Sequence, residues 1–271
     1  MSGFEPLLVL DDIKKNYGAI EALKGISFSI GKGEVVALLG DNGAGKSTLV
    51  KIISGGLEPT SGRMTFDGKP FQAQSPSEAK RAGIETVYQD LSLCTNVDVV
   101  ANFFMGREIT RKVFGIPVLQ EKEMERVVAE AMENAGTRIP SLRNKVETLS
   151  GGQRQAIELN RFVHWGGKLV LLDEPFAALG VDQTRRGLEM IRRVANQGIG
   201  VVIITHIMQQ AFQVADKIVV IRQGVVAGDV ETRNTTTDAV ISMITGEPVT
   251  GAGPAGPSAA ERGSGEQEQT I

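Results

Sequence analysis

The segment Gly40-Asp41-Asn42-Gly43-Ala44-Gly45-Lys46-Ser47-Thr48 follows an apolar run and precedes a helical one. Gly, four residues, then Gly-Lys-Ser/Thr is the spacing that cradles phosphate. Gly40, Gly43 and Gly45 let the backbone curl until several N–H groups, with Asn42 among them, converge on one anion. A helix opening at Lys46 adds its positive dipole end through Ser47 and Thr48. Lys46 can reach the β- and γ-phosphates and Ser47 can ligate Mg²⁺, so the segment predicts a nucleoside triphosphate site. Far downstream, Lys168-Leu169-Val170-Leu171-Leu172 is an apolar strand ending in Asp173-Glu174. A carboxylate at a strand end beside a phosphate loop suits Mg²⁺, which assigns Asp173 to the metal. Glu174 points the other way and can orient or deprotonate a water attacking the γ-phosphate. A third segment, Leu149-Ser150-Gly151-Gly152-Gln153, places a capping serine before a helix that starts at Gly151. Alone it would read as an ordinary N-cap; beside the other two segments it reads as a second anion-receiving surface.

The elements that must position these residues follow from apolar periodicity. Leu7–Leu10, Ala22–Ile30 and Glu34–Leu39 read as strands, the last feeding the phosphate loop. The helix after the loop stops at Gly55-Gly56, and Asp67-Gly68 closes a hairpin after Arg63–Phe66. Ile84–Gln89, Lys168–Leu172, Gly200–Thr205 and Lys217–Arg222 are further strands. Their runs are continuous rather than alternating, as in a parallel sheet covered on both faces. From about residue 91 to residue 165 the pattern turns helical. Gln120–Ala135 there places Met124, Val127, Val128, Ala131 and Met132 on one helix face. The predicted fold is therefore α/β, a phosphate-loop core of mostly parallel sheet with an antiparallel portion near the N-terminus and an inserted helical subdomain at 91–165. Residues 1–246 are predicted to form the folded unit. Residues 247–271, rich in Gly, Pro, Ser and Glu, offer nothing to bury and are expected to be a disordered tail.

The chain has 271 residues, 41% of them hydrophobic, enough for a large core, and one cysteine, which excludes an internal disulfide framework and suits a reducing cytosol. No apolar run reaches the length of a membrane helix, and no signal peptide is visible. A net charge of −3 without a basic cluster argues against nucleic acid as a partner.

Together the three segments resemble the nucleotide-binding subunit of an ATP-binding-cassette (ABC) transporter, in which Leu-Ser-Gly-Gly-Gln is the signature motif. The resemblance covers residues 7 to 246. It implies that Tyr17, in Asn16-Tyr17-Gly18, stacks on adenine. It assigns Gln89 to a glutamine loop that touches Mg²⁺ and water and communicates with membrane subunits. It makes His206 a switch histidine contacting the γ-phosphate, and it carries the segment 177–182 across a dimer interface. Val87-Tyr88-Gln89-Asp90-Leu91-Ser92-Leu93, Met105-Gly106-Arg107-Glu108 and Ala178-Leu179-Gly180-Val181 are similar to monosaccharide importers of the ribose, xylose and fructose type. One phosphate loop and one signature make this a single cassette.

The resemblance then implies an ATPase using ATP and Mg²⁺. Two cassettes, identical or not, would pair so that Ser150, Gly152 and Gln153 of one cover ATP on the other. Separate permease subunits would be engaged at the cytoplasmic face of the plasma membrane, where the cassette sits peripherally, and a sugar-binding protein would act indirectly. A non-transport ABC ATPase, or a cassette serving another small solute, stays open. Two residues depart from the family. Phe176 replaces the usual Thr, which puts a bulky ring beside Glu174, expected to alter water access or interface packing and to slow the ATPase. Asn160 replaces a small residue in the signature helix.

Overall fold

The computed structural model describes residues 6–87, 93–134, 138–165, 167–176 and 180–247. The chain begins with two long strands, β1 (Pro6–Tyr17) and β2 (Ile20–Gly31), followed by β3 (Val35–Leu39), α1 (Lys46–Ile53), β4 (Ser61–Phe66) and β5 (Lys69–Pro70). Next come α2 (Pro76–Ala82), β6 (Ile84–Val87), α3 (Val99–Phe104), β7 (Thr110–Val113), β8 (Ile116–Leu119), α4 (Glu121–Asn134) and α5 (Gly151–His164). The chain then closes the core with β9 (Leu169–Asp173), α6 (Val181–Asn196), β10 (Gly200–Ile204), α7 (Met208–Val214), β11 (Lys217–Arg222), β12 (Val225–Glu231) and α8 (Thr237–Thr245).

Two sheets face each other. The antiparallel one runs β2-β1-β4-β5; the other runs β12-β11-β3-β10-β9-β6. Five strands of the second are parallel, and β12 is its antiparallel edge. The continuous apolar runs divide by parity, as a sheet buried on both faces requires. Val36, Leu38, Leu169, Leu171, Val202 and Ile204 point into one core with the antiparallel sheet and α1. Val35, Ala37, Val170, Leu172, Val201 and Ile203 point into the other, against α6, α7 and α8. On α6, Leu188, Ile191, Val194 and Ala195 recur at helical spacing on the buried face. Asp67 and Gly68 both have positive φ, 50° and 72°, and close the β4–β5 hairpin as the Asp-Gly pair predicts.

A third core gathers Met124, Val128 and Met132 of α4 with Phe103 and Phe104 of α3 and Ile157 of α5. The expected face of Gln120–Ala135 is thus the buried one. The His164 ring packs edge-on to Trp165 at 4.9 Å between centroids and tilts against Phe103 at 5.3 Å. Asn102 is fully buried at the centre of this region. Its Oδ1 accepts from Cys94 N–H at 2.7 Å, and its amide nitrogen donates to the carbonyls of Cys94, Val97 and Asp98. One element inside 91–165 is not helical: β7 and β8 pair as an antiparallel ribbon. Its β-branched Thr110, Val113, Ile116 and Val118 around Phe114-Gly115 carry the strand preference, which the helical reading of the whole stretch passed over.

Candidate functional site

The ends of three neighbouring parallel strands build the site, as ligand sites in open α/β sheets do. β3 delivers the loop 40–45. Gly40, Gly43 and Gly45 have φ of 149°, 78° and 111°. A Cβ on Gly40 would lie 2.1 Å from the Ile221 carbonyl, and one on Gly45 2.6 Å from Leu23 Cδ2 and 2.9 Å from the Ala22 carbonyl, so both positions require glycine for space as well as conformation. Gly43 meets nothing and needs glycine for its φ alone. The loop is held from below: Gly224 N–H donates to Ala44 O at 3.0 Å, and Lys24 N–H donates to Gly224 O at 2.8 Å.

Helix α1 starts at Lys46 with no side-chain cap and no acid in its first turn. Its first amides, on Lys46, Ser47 and Thr48, are therefore available to an anion. Asn42 is exposed on the loop, its N–H bonded to Asp41 Oδ1. The Lys46 ammonium donates to the carbonyls of Gly40 at 2.7 Å and Asp41 at 2.9 Å. Partial burial lowers its pKa, opposed by the charges of Glu174, Asp41 and Asp173. Those charges put Lys46 within electrostatic reach of Asp173 at the end of β9 and of Glu174 just beyond it.

Asp173 ends β9, paired in register with Ile204 of β10. Burial and then the Glu174 charge push its carboxyl above the usual range, with Lys46 and Lys51 pulling it back. Glu174 turns sharply, with φ 48°, a conformation costing a non-glycine residue about 1–3 kcal/mol. The turn holds its N–H on the Ile204 carbonyl at 2.9 Å and sets its carboxylate 2.9 Å from His206 Nδ1. With a carboxylate as acceptor, Nδ1 is the donor of this bond. His206 itself is largely solvent-exposed, and it follows Thr205, which is buried. Thr205 Oγ1 donates to Gln210 Oε1 at 3.0 Å and accepts from Ile207 N–H at 3.1 Å, fixing the backbone on either side of His206. Neither this Thr–Gln pair nor the Glu174–His206 bond was read from the sequence. The only trace of the first is a polar pair spaced five residues apart at the end of an apolar strand.

Ser150 and Gln153 form a reciprocal capping box: Gln153 N–H donates to Ser150 Oγ at 3.3 Å, and Ser150 N–H to Gln153 Oε1 at 3.0 Å. Gln153 also donates to Arg138 O, and Arg154 to Leu149 O. Gly152 is followed by open space in which a Cβ would meet nothing. These bonds stay within the start of α5 and its surroundings, whereas Glu174 and His206 are bonded to each other at the ends of β9 and β10. Tyr17 lies at the end of β1, 48% exposed, with the Lys15 ammonium 5.5 Å from its ring. Gln89 lies outside the described residues, as do 177–179 of the interface segment.

The position expected for the Phe176 ring is corrected. The ring is 2% exposed and belongs to the α6-side core. A Cβ on Gly187 of α6 would come 2.3 Å from its Cε1. A glycine inside a helix makes room for the ring, which therefore fills the core instead of standing in the water's path. Asn160 donates to Ala156 O one turn back at 2.7 Å, a local helix contact.

The arrangement can bind polyphosphate and present a carboxylate–imidazole pair to a water. The ABC transporter family model matches residues 23–177. The chain is 44% identical over 239 residues to the xylose/arabinose import ATP-binding protein of Sulfolobus acidocaldarius, covering 88% of this chain and 94% of that one. It is 43% identical over 224 residues to the fructose import ATP-binding protein of Rhizobium meliloti, covering 81% and 86%. Among solved structures, an ABC transporter ATP-binding cassette in its ADP conformation superimposes with a TM-score of 0.74 at 25% identity, covering 90% of this chain and all of that one.

Proposed function

The chain belongs to the ABC transporter family of ATP-binding cassettes, and from that premise we propose that it hydrolyses ATP to drive import of a monosaccharide through separate permease subunits. The observation that carries the chemistry is the loop lysine held beside a strand-end Asp-Glu whose Glu is bonded to a histidine. The sugar assignment rests on the likeness, over nearly their whole length, to xylose/arabinose and fructose import proteins.

The β- and γ-phosphates of ATP lie in the loop, with Tyr17 against adenine. Lys46 exchanges its bonds to Gly40 and Asp41 for phosphate oxygens, and the amides at the start of α1 complete the cradle. The residues present fit Mg²⁺: the Asp173 carboxylate at the end of β9 suffers burial and the neighbouring Glu174 charge, and a bound divalent cation would relieve both. Ser47, Asp173 and Gln89 would hold it. Bound there, the cation neutralises phosphate charge. Glu174 takes a proton from the attacking water while His206 orients its carboxylate through Nδ1. The water oxygen bonds to the γ-phosphorus, the bond to the β,γ-bridging oxygen breaks, and its electron pair leaves with ADP.

Two cassettes pair head to tail, so that the start of α5 in one, with Ser150, Gly152 and Gln153, closes over the ATP of the other. Among the described residues no helix is long and apolar enough to cross a membrane, so the spanning partner is assigned to other chains at the cytoplasmic face. A cavity of about 520 Å³ between the α2–β6 corner and the α3–α5 region, lined by Lys80, Thr86, Phe103, Met105 and Trp165, adjoins the strand that leads to Gln89. It is the surface we assign to the permease. A sugar-binding protein outside the membrane supplies the solute.

Glu174→Gln tests the reading. It is expected to retain ATP binding, to lose hydrolysis by about 10²–10⁴-fold, and to elute as a dimer in size-exclusion chromatography with ATP, since the closed pair cannot reopen. Normal hydrolysis in this variant would sink the assignment.

A further inference from the structure

The β7–β8 ribbon serves no step described above. Val113, Phe114, Ile116, Val118 and Leu119 supply five of the eleven exposed large apolar side chains among the described residues. Such crowding into seven positions marks a contact surface rather than scattered surface apolarity. All eight strand residues are exposed, so neither face of the ribbon is covered. A two-stranded ribbon of this kind is marginal in water by itself. Its foot is anchored by Ile109, which packs against the α3–α4–α5 core and accepts from Gln120 N–H at 2.8 Å.

The tip is stranger than the flanks. Phe114 and Gly115 make a two-residue turn with φ of 50° and 83°, where Asn-Gly or Asp-Gly is preferred. A phenylalanine is poorly suited to left-handed backbone, and its ring is 101% exposed. The ring therefore contributes nothing to this fold and sits where backbone preference argues against it.

The charges on the ribbon identify what covers it. Between Ile109 and Gln120 the only charged residues are Arg111 and Lys112, both basic, in a chain of net charge −3. Arg111 lies opposite Val118 and Lys112 opposite Pro117, so each face carries one cation next to apolar side chains. An apolar tip with a basic collar matches a surface that is oily inside and anionic outside. Cytoplasmic loops of membrane proteins carry an excess of Lys and Arg, so charge disfavours a permease loop as the occupant.

We infer that the β7–β8 ribbon is a lipid-contacting element: Phe114 and Ile116 enter the boundary between headgroups and acyl chains, and Arg111 and Lys112 meet anionic headgroups. The inference rests on the reading of this chain as a membrane-associated importer ATPase, since that reading brings a bilayer within reach.

Flotation of the full chain with vesicles of phosphatidylglycerol and phosphatidylcholine, against phosphatidylcholine alone, tests it without a permease. The chain is expected to float with the anionic vesicles and to release as salt rises. Phe114→Asn, which suits the turn better and cannot be blamed for unfolding, should lower the bound fraction about tenfold. Arg111→Glu with Lys112→Glu should abolish the preference for anionic lipid. Basal ATPase should be unchanged in all of these, so a failed catalytic reading would appear in that assay and not in flotation. No flotation of the parent chain, equal flotation of Phe114→Asn, or binding that appears only when permease is added to neutral vesicles would each overturn the inference.

Discussion

At the scale of single residues, the chemistry was legible because each group is specified by a local pattern. A glycine-spaced loop before Lys46, an apolar strand before Asp173 and a polar end to β10 can each be read within ten residues. What joins them cannot. The Glu174–His206 bond spans 32 positions and depends on the positive φ of Glu174, which no residue type announces. The same limit explains the misreading of Phe176. Its partner, Gly187, stands eleven residues on in a helix, where glycine costs about 1 kcal/mol relative to alanine and returns the space the ring occupies. Phe176→Thr should therefore leave the ATPase no faster and lower unfolding stability by about 3 kcal/mol, the order expected for truncating a buried aromatic ring. Urea unfolding and steady-state ATPase on the same preparation decide it; faster turnover at unchanged stability would return the ring to the water's path.

At the scale of elements, strands and helices followed the apolar pattern closely, since parity on β3, β9 and β10 and helical spacing on α4 are imposed by the cores they face. The β7–β8 ribbon was missed because it faces no core, and a pattern read as burial says nothing about a segment that buries nothing here. Helix α5 carries two demands at its first turn: Ser150 caps the helix, and in the proposed pair it also meets the partner's ATP. The two demands separate by substitution. Ser150→Ala should cost about 1 kcal/mol of stability through the lost cap and weaken ATP-dependent dimerisation. Ser150→Asp keeps a capping oxygen, so stability should be retained, while its charge opposes phosphate and dimerisation should fail. Chemical denaturation and light scattering with ATP read the two effects; intact dimerisation in Ser150→Asp would remove Ser150 from the interface.

At the scale of the whole molecule, every motif lies upstream of residue 247, and the last described element is closed by its own contacts. Gly246 caps α8 with φ 80°, and the Ser242 hydroxyl donates to the Glu247 carbonyl. We propose that 248–271, whose composition gives no core to join, is dispensable for nucleotide chemistry. Truncation after Glu247 should leave melting temperature and ATPase rate unchanged, and calorimetry showing a drop of several degrees would prove that the segment docks. The rest of the architecture also differs in how much change in length it can absorb. The turn at Gly224 is bonded at once to the phosphate loop and to β2, so one inserted residue there would pull Ala44 and Lys24 out of register with each other. The ribbon at 110–119 hangs from a single foot and can lengthen or shrink without disturbing a strand of the main sheets. Divergence among relatives should accordingly leave the first turn fixed in length and write its variety into the second.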